Sequence, residues 1–195
     1  MFAAIGPKQT ETIFKPKDPK NETVVVSASN AYEMLDAFST NGQIGQVSQV
    51  VEQGRHGGNF TILTEKMPSG EKRTLSIQGE IKNWGSKDRK GGKKYDILRG
   101  AFDHFGHLIG YQFGGPDHKD TKNIHSQHAH ANKGDYLRLE NSIKSELNKR
   151  GSGVMTVSTV YEDAGTRASM FIVKVVWPDG HKFDACIDNF GNYQR

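Results

Sequence analysis

With 195 residues, a formal charge of +4 and apolar residues at 34%, the chain is long enough for one domain with a buried core and too short for two independent enzyme domains. A single cysteine, Cys186, excludes an intrachain disulfide and a cysteine-based zinc site. No apolar run approaches a membrane span, and the stretch Met1 to Ile5 is too brief for an ordinary secretory signal, so no membrane partner is expected.

In chain order, Pro7, Pro16 and Pro19 among lysines predict an irregular arm over residues 1 to about 21. The β-branched run Thr23 to Ser27 precedes a short possible helix over Ala31 to Phe38. Strands are predicted at Phe60 to Thr64 and Arg73 to Ile81, separated by the turn Pro68-Ser69-Gly70. A basic stretch follows, in which Lys82, Lys87, Arg89, Lys90, Lys93, Lys94 and Arg99 face only Asp88 and Asp96, suiting either a phosphate backbone or plain solvent. Six of the 8 histidines then fall between Phe102 and Glu140, at 104, 107, 118, 125, 128 and 130. The spacing of Tyr136, Leu139, Ile143 and Leu147 predicts a helix over Lys133 to Lys149, stopped by Arg150-Gly151-Ser152-Gly153. Strands close the chain at Val154 to Tyr161, Met170 to Trp177 and Lys182 to Ile187, with Pro178-Asp179-Gly180 turning the last pair.

Chemistry concentrates in four blocks. They are Asp103-His104-Phe105-Gly106-His107-Leu108-Ile109, Phe113-Gly114-Gly115, Asn123-Ile124, and Asn132-Lys133-Gly134-Asp135-Tyr136-Leu137-Arg138-Leu139-Glu140. Phosphodiester hydrolysis needs a base for water and a cation for the charge that builds on phosphorus and the leaving oxygen. A histidine titrating near neutrality suits the first task, and Gly106 before His107 is expected to leave room for a phosphate. Asn132, Tyr136, Glu140 and Lys144 recur every fourth residue and should line one side of a helix. Taken singly, Asn132 reads as a helix cap and each histidine as a hydrogen-bonded surface or core residue.

In this order the blocks resemble the DNA/RNA non-specific endonucleases of the ββα-metal (His-Me finger) superfamily, closest to the toxin-type effector nucleases of bacteria. The resemblance implies an α+β fold: a ββα-metal core over residues 73–195 with flanking antiparallel strands, and an N-terminal arm and accessory segment over 1–72. It implies His107 as general base, Asn132 as direct ligand of Mg²⁺ (Mn²⁺ as substitute), Glu140 acting on the metal through water, and Asn123 ordering the site. Asp103, His104, Lys133 and Lys144 are the expected substrate contacts, with Arg138 a further one. The partners implied are DNA, RNA or both, and a cognate immunity protein, with secretion or delivery into a target cell. The sequence departs from the family's best-known branch at His104 and Phe105, where that branch has Asp and Arg, and His104 or the basic loop is the expected replacement for the missing guanidinium. Two alternatives stay open: a zinc metallohydrolase built on His125, His128 and His130, and a non-catalytic nucleic-acid-binding module.

Overall fold

The computed structural model describes residues 46–85, 87, 95, 97 and 99–189. The arm, the run Thr23 to Ser27, the helix expected over Ala31 to Phe38 and most of the basic loop, including Arg89, Lys90, Lys93 and Lys94, lie outside the described residues.

Eight strands and one α-helix are described: β1 (Gln46–Gln53), β2 (Asn59–Lys66), β3 (Lys72–Lys82), β4 (Asp103–His107), β5 (Ile124–His128), α1 (Tyr136–Arg150), β6 (Ser152–Val160), β7 (Met170–Val176) and β8 (Lys182–Asp188). Six of them form one antiparallel sheet in the order β1-β2-β3-β6-β7-β8. Between β3 and β6 the chain leaves that sheet to build a separate antiparallel pair, β4 with β5, and then α1.

Alternation decides which face of the sheet is covered. In β7, Phe171, Val173 and Val175 are wholly buried while the residues between them are half-buried. Ile62, Ile77, Met155 and Val157 extend this apolar face across the neighbouring strands. The helix presents Tyr136, Leu139, Ile143 and Leu147 to it at helical spacing, each 2% exposed or less. Burying one such leucine or isoleucine stabilises the fold by about 1.5–3 kcal/mol. Gly151, at φ 82, ends the helix and donates its backbone N–H to Leu147 O.

The strands predicted at 60–64, 73–81, 154–161, 170–177 and 182–187 are all present, each shifted by a residue or two. β1 was not expected. Its side chains are exposed at every position but Glu52, so no alternation announces it, and it exists by pairing with β2. β1 and β2, which lie in the part expected as an accessory segment, belong to the same sheet as β3.

Candidate active site

The β4–β5 pair aligns Asp103 with His128 and His107 with Ile124. Its faces are fixed less by apolar packing than by buried polar side chains. Asn123, wholly buried just before β5, accepts from Ile109 N at 2.8 Å and donates to Ile109 O at 2.8 Å and Pro116 O at 3.0 Å. Both its donors and its acceptor are therefore committed to holding the segment after His107. At the far end, Asn189 accepts from His128 N and donates to Ser126 O and Ala168 O, tying β5 to the end of β8.

Asp103 was expected to meet substrate. Its side chain is instead buried against Arg167, which donates from Nε at 2.7 Å and Nη2 at 3.0 Å, and Ser126, which donates at 2.6 Å. Burial works to raise the carboxyl, but the hydrogen bonds and charge of Arg167 together with the Ser126 hydroxyl outweigh it and hold the group below its ordinary value. A committed, buried anion is a structural anchor, and it would repel a phosphate. Gly106 also differs from expectation: a Cβ there would lie 2.1 Å from Gln127 Oε1, so the missing side chain makes room for Gln127 rather than for substrate.

His107 is the last residue of β4 and 7% exposed. Its Nε2 lies 3.1 Å from Oδ1 of Asp117, a side chain 3% exposed, and the Tyr95 hydroxyl donates to the same oxygen at 2.5 Å. A hydrogen on Nε2 would be donated to this carboxylate, and that tautomer puts the ring's basic lone pair on Nδ1. Tyr95 and Tyr111 stand edge-on to the imidazole at 6.2 and 6.4 Å. Asp117 was missed in the sequence. The available signal was an acid two residues beyond Phe113-Gly114-Gly115, ten positions from the histidine it meets.

The helix is entered through a π turn over Ala131–Asp135, in which Tyr136 N–H reaches back to Ala131 O. Asn132 sits in this turn, half-buried, and no side-chain cap bond is made at the turn or at α1. Among the described residues its amide has no hydrogen-bond partner. The every-fourth-residue stripe is regular only from Tyr136 onward, because the wider turn offsets Asn132 from the α-helical frame. Tyr136 donates from its hydroxyl to Leu108 O at 2.5 Å. Burial, with the charge of Glu140, raises that phenol well above its usual range, so it stays a donor. Glu140, half-buried, accepts from Gln112 Nε2 at 3.2 Å and packs so close to Gly110 that a Cβ there would lie 2.2 Å from Oε1. One side of the helix thus follows the backbone immediately after His107.

The other expected contacts are scattered. Lys133 is exposed and Lys144 half-buried, while Arg138 is paired with Asp135. His104 alternates onto the opposite face of β4 from His107, so it does not replace the missing arginine beside the base. His125, His128 and His130 do not converge. His125 is buried between Tyr161 and Phe171, whereas His128 takes the opposite face of β5 and accepts from His130 N through Nδ1. Burial lowers the His125 pKa to about 4, which keeps the ring neutral. Among the described residues no group of three His, Cys, Asp or Glu side chains is placed to hold a metal.

With this arrangement in view, comparison with known proteins defines the class. Residues 68–176, more than half of the chain, match the DNA/RNA non-specific endonuclease family, and the chain belongs to it. It is a hydrolase acting on nucleic acids. Among solved structures, an "extracellular endonuclease" shares the fold with a TM-score of 0.50 at 14% identity, covering 78% of this chain and 94% of that one. An "extracellular nuclease" is similar with a TM-score of 0.45 at 12% identity, covering 74% and 86% of the two chains. A third structure, titled "Structure of Sda1 nuclease with bound zinc ion", has a TM-score of 0.40 at 13% identity and covers 74% of this chain and 46% of its own. No curated protein sequence matches the chain significantly.

Proposed function

We propose that this chain is a ββα-metal endonuclease that hydrolyses DNA, RNA or both with little sequence preference, using His107 as general base and Mg²⁺ as cofactor. The observation that carries the reading is the Asp117–His107 pair at the end of β4, beside a helix whose Tyr136 and Glu140 reach back to Leu108 and Gly110. The buried carboxylate orients the imidazole, so Nδ1 takes a proton from the attacking water as the new P–O bond forms and the bond to the leaving oxygen breaks.

The residues present fit Mg²⁺. The half-buried Asn132 amide has no hydrogen-bond partner among the described residues, and Glu140 supplies a carboxylate two helical turns further on. One neutral oxygen with water for the remaining ligands suits a small cation that gives up its hydration reluctantly. Asn132 would hold the ion directly, Glu140 would orient its water, and the ion when bound would neutralise charge on the phosphate and leaving oxygen.

The test is cleavage of plasmid, single-stranded DNA and RNA with Mg²⁺, Mn²⁺ or chelator. Chelator should abolish it. His107→Ala should lower kcat by ~10²–10⁴-fold with the fold intact, Asn132→Ala should remove activity, and Glu140→Ala should lower it less sharply. Near-wild-type cleavage by His107→Ala would sink the assignment of the base. The toxin-type setting, with export, delivery to a target cell and an immunity protein, belongs to the same reading and rests on the order of the motif blocks. Growth arrest on expression, abolished by His107→Ala and relieved by a protein encoded beside this chain, is the expected outcome.

A further inference from the structure

The β1–β2 turn and the segment after β3 meet at the loop over residues 110–115, and there they expose an aromatic pair. Trp84 and His56 stack with ring centroids 4.1 Å apart and planes inclined by 22°. Although His56 already covers one face, Trp84 remains 49% exposed, whereas the other tryptophan, Trp177, is 3% exposed in the core. Leaving an indole half in water forgoes much of its burial free energy.

The pair is held firmly. Trp84 N donates to Gln112 O at 2.9 Å, and Arg55 N donates to Gly114 O at 3.1 Å, so both segments are fastened to the same loop. That loop runs back to His107. The Arg55 guanidinium lies 3.9 Å from the Tyr111 ring centroid, and Tyr111 in turn stands edge-on to His107 at 6.4 Å. Arg55 also donates to Gly85 O at 3.5 Å, so the exposed stack is fastened to the same loop that leads back to the proposed base.

We propose that the exposed stack of Trp84 and His56 forms a platform for an unpaired nucleobase of the substrate. This rests on the reading of His107 as the base of a nuclease. An aromatic platform binds any base through its π-face, so it adds affinity without sequence preference. A duplex cannot use it without unstacking, since both faces of each internal base are occupied. The platform therefore favours single strands, RNA loops and frayed ends.

Binding is measured in chelator, with the full chain and an eight-nucleotide thymidine strand or its duplex. The intrinsic fluorescence of the exposed Trp84 should be quenched by the single strand and much less by the duplex. Trp84→Ala should weaken single-strand binding by about 5- to 100-fold, the equivalent of one stacked base. Trp84→Phe should retain most of the affinity, and the duplex should lose less. Should Trp84→Ala fail to fold, His56→Ala, which removes a solvent-facing ring, is expected to weaken single-strand binding in the same direction. Unchanged single-strand affinity in a folded Trp84→Ala or His56→Ala chain, or equal losses on strand and duplex, would overturn the platform. The two readings fail separately: platform-dependent binding without metal-dependent cleavage removes the nuclease, and cleavage with platform-independent binding removes only the platform.

Discussion

The six-stranded sheet and the β4–β5 pair are both antiparallel, yet they are held by different forces. Across the sheet, alternate residues such as Ile77, Val157 and Val173 bury apolar side chains against the helix. The β4–β5 pair instead carries Asp103, Asn123, His125, Ser126 and Gln127 in its buried positions and is tied to its surroundings by directed hydrogen bonds. Apolar contacts are many, small and tolerant of adjustment. A buried polar clamp fixes position more tightly, but loses a large amount at once when one partner goes. The region that must hold His107 in place uses the second kind.

The sharpest way to break this contrast is Arg167→Ala, which leaves the Asp103 carboxylate buried without its guanidinium. Denaturant unfolding should show a loss of ~3–5 kcal/mol, with part recovered in Arg167→Ala combined with Asp103→Asn. A loss below ~1 kcal/mol would mean that the clamp contributes no more than an ordinary surface pair.

A smaller effect should appear with pH. His125 is neutral when folded, with its pKa lowered to about 4 by burial, against 6.5 in the unfolded chain. The unfolded state therefore binds the proton first as pH falls, and stability drains away between 6.5 and about 4, with no contribution from this group above 6.5. Unfolding at pH 5 should be about 2 kcal/mol easier than at pH 7 on this account alone. His125→Gln should flatten that slope, and an unchanged slope would assign it to other groups.

The smallest effect is expected in the sheet, where Ile77→Val should cost ~0.5–1.5 kcal/mol and leave cleavage rates alone. A loss above ~3 kcal/mol there would erase the distinction between the two regions.

The same contrast governs what could be read from the amino acids. β7 and β8 are written in β-rich runs on either side of Pro178-Asp179-Gly180, and α1 in the spacing of Leu139, Ile143 and Leu147, because each pattern is local. β1 was invisible, since a strand that mixes Gln and Val irregularly and has no buried face carries no period. His107 and Asn132 stood out through the order of the motif blocks. Asp117, Arg167 and Asn189 did not, because each clamp joins residues through turns or across 21 to 64 positions that no local pattern records. Asp103 looked like a functional acid for the same reason: nothing nearby in the chain reveals its distant arginine.

The π turn before α1 has a consequence for how such a site can change. Asn132 and Glu140 share one continuous segment, but the backbone bond from Tyr136 to Ala131 encloses one residue more than an α-helical turn. Removing a residue from 131–135 would restore the ordinary winding and rotate everything before it by about 100°, while Glu140 and the residues packed behind it stayed where they are. The turn acts as a clutch between the two ends of the segment, so the amide can be re-aimed by a single insertion or deletion without rebuilding the helix that carries the carboxylate.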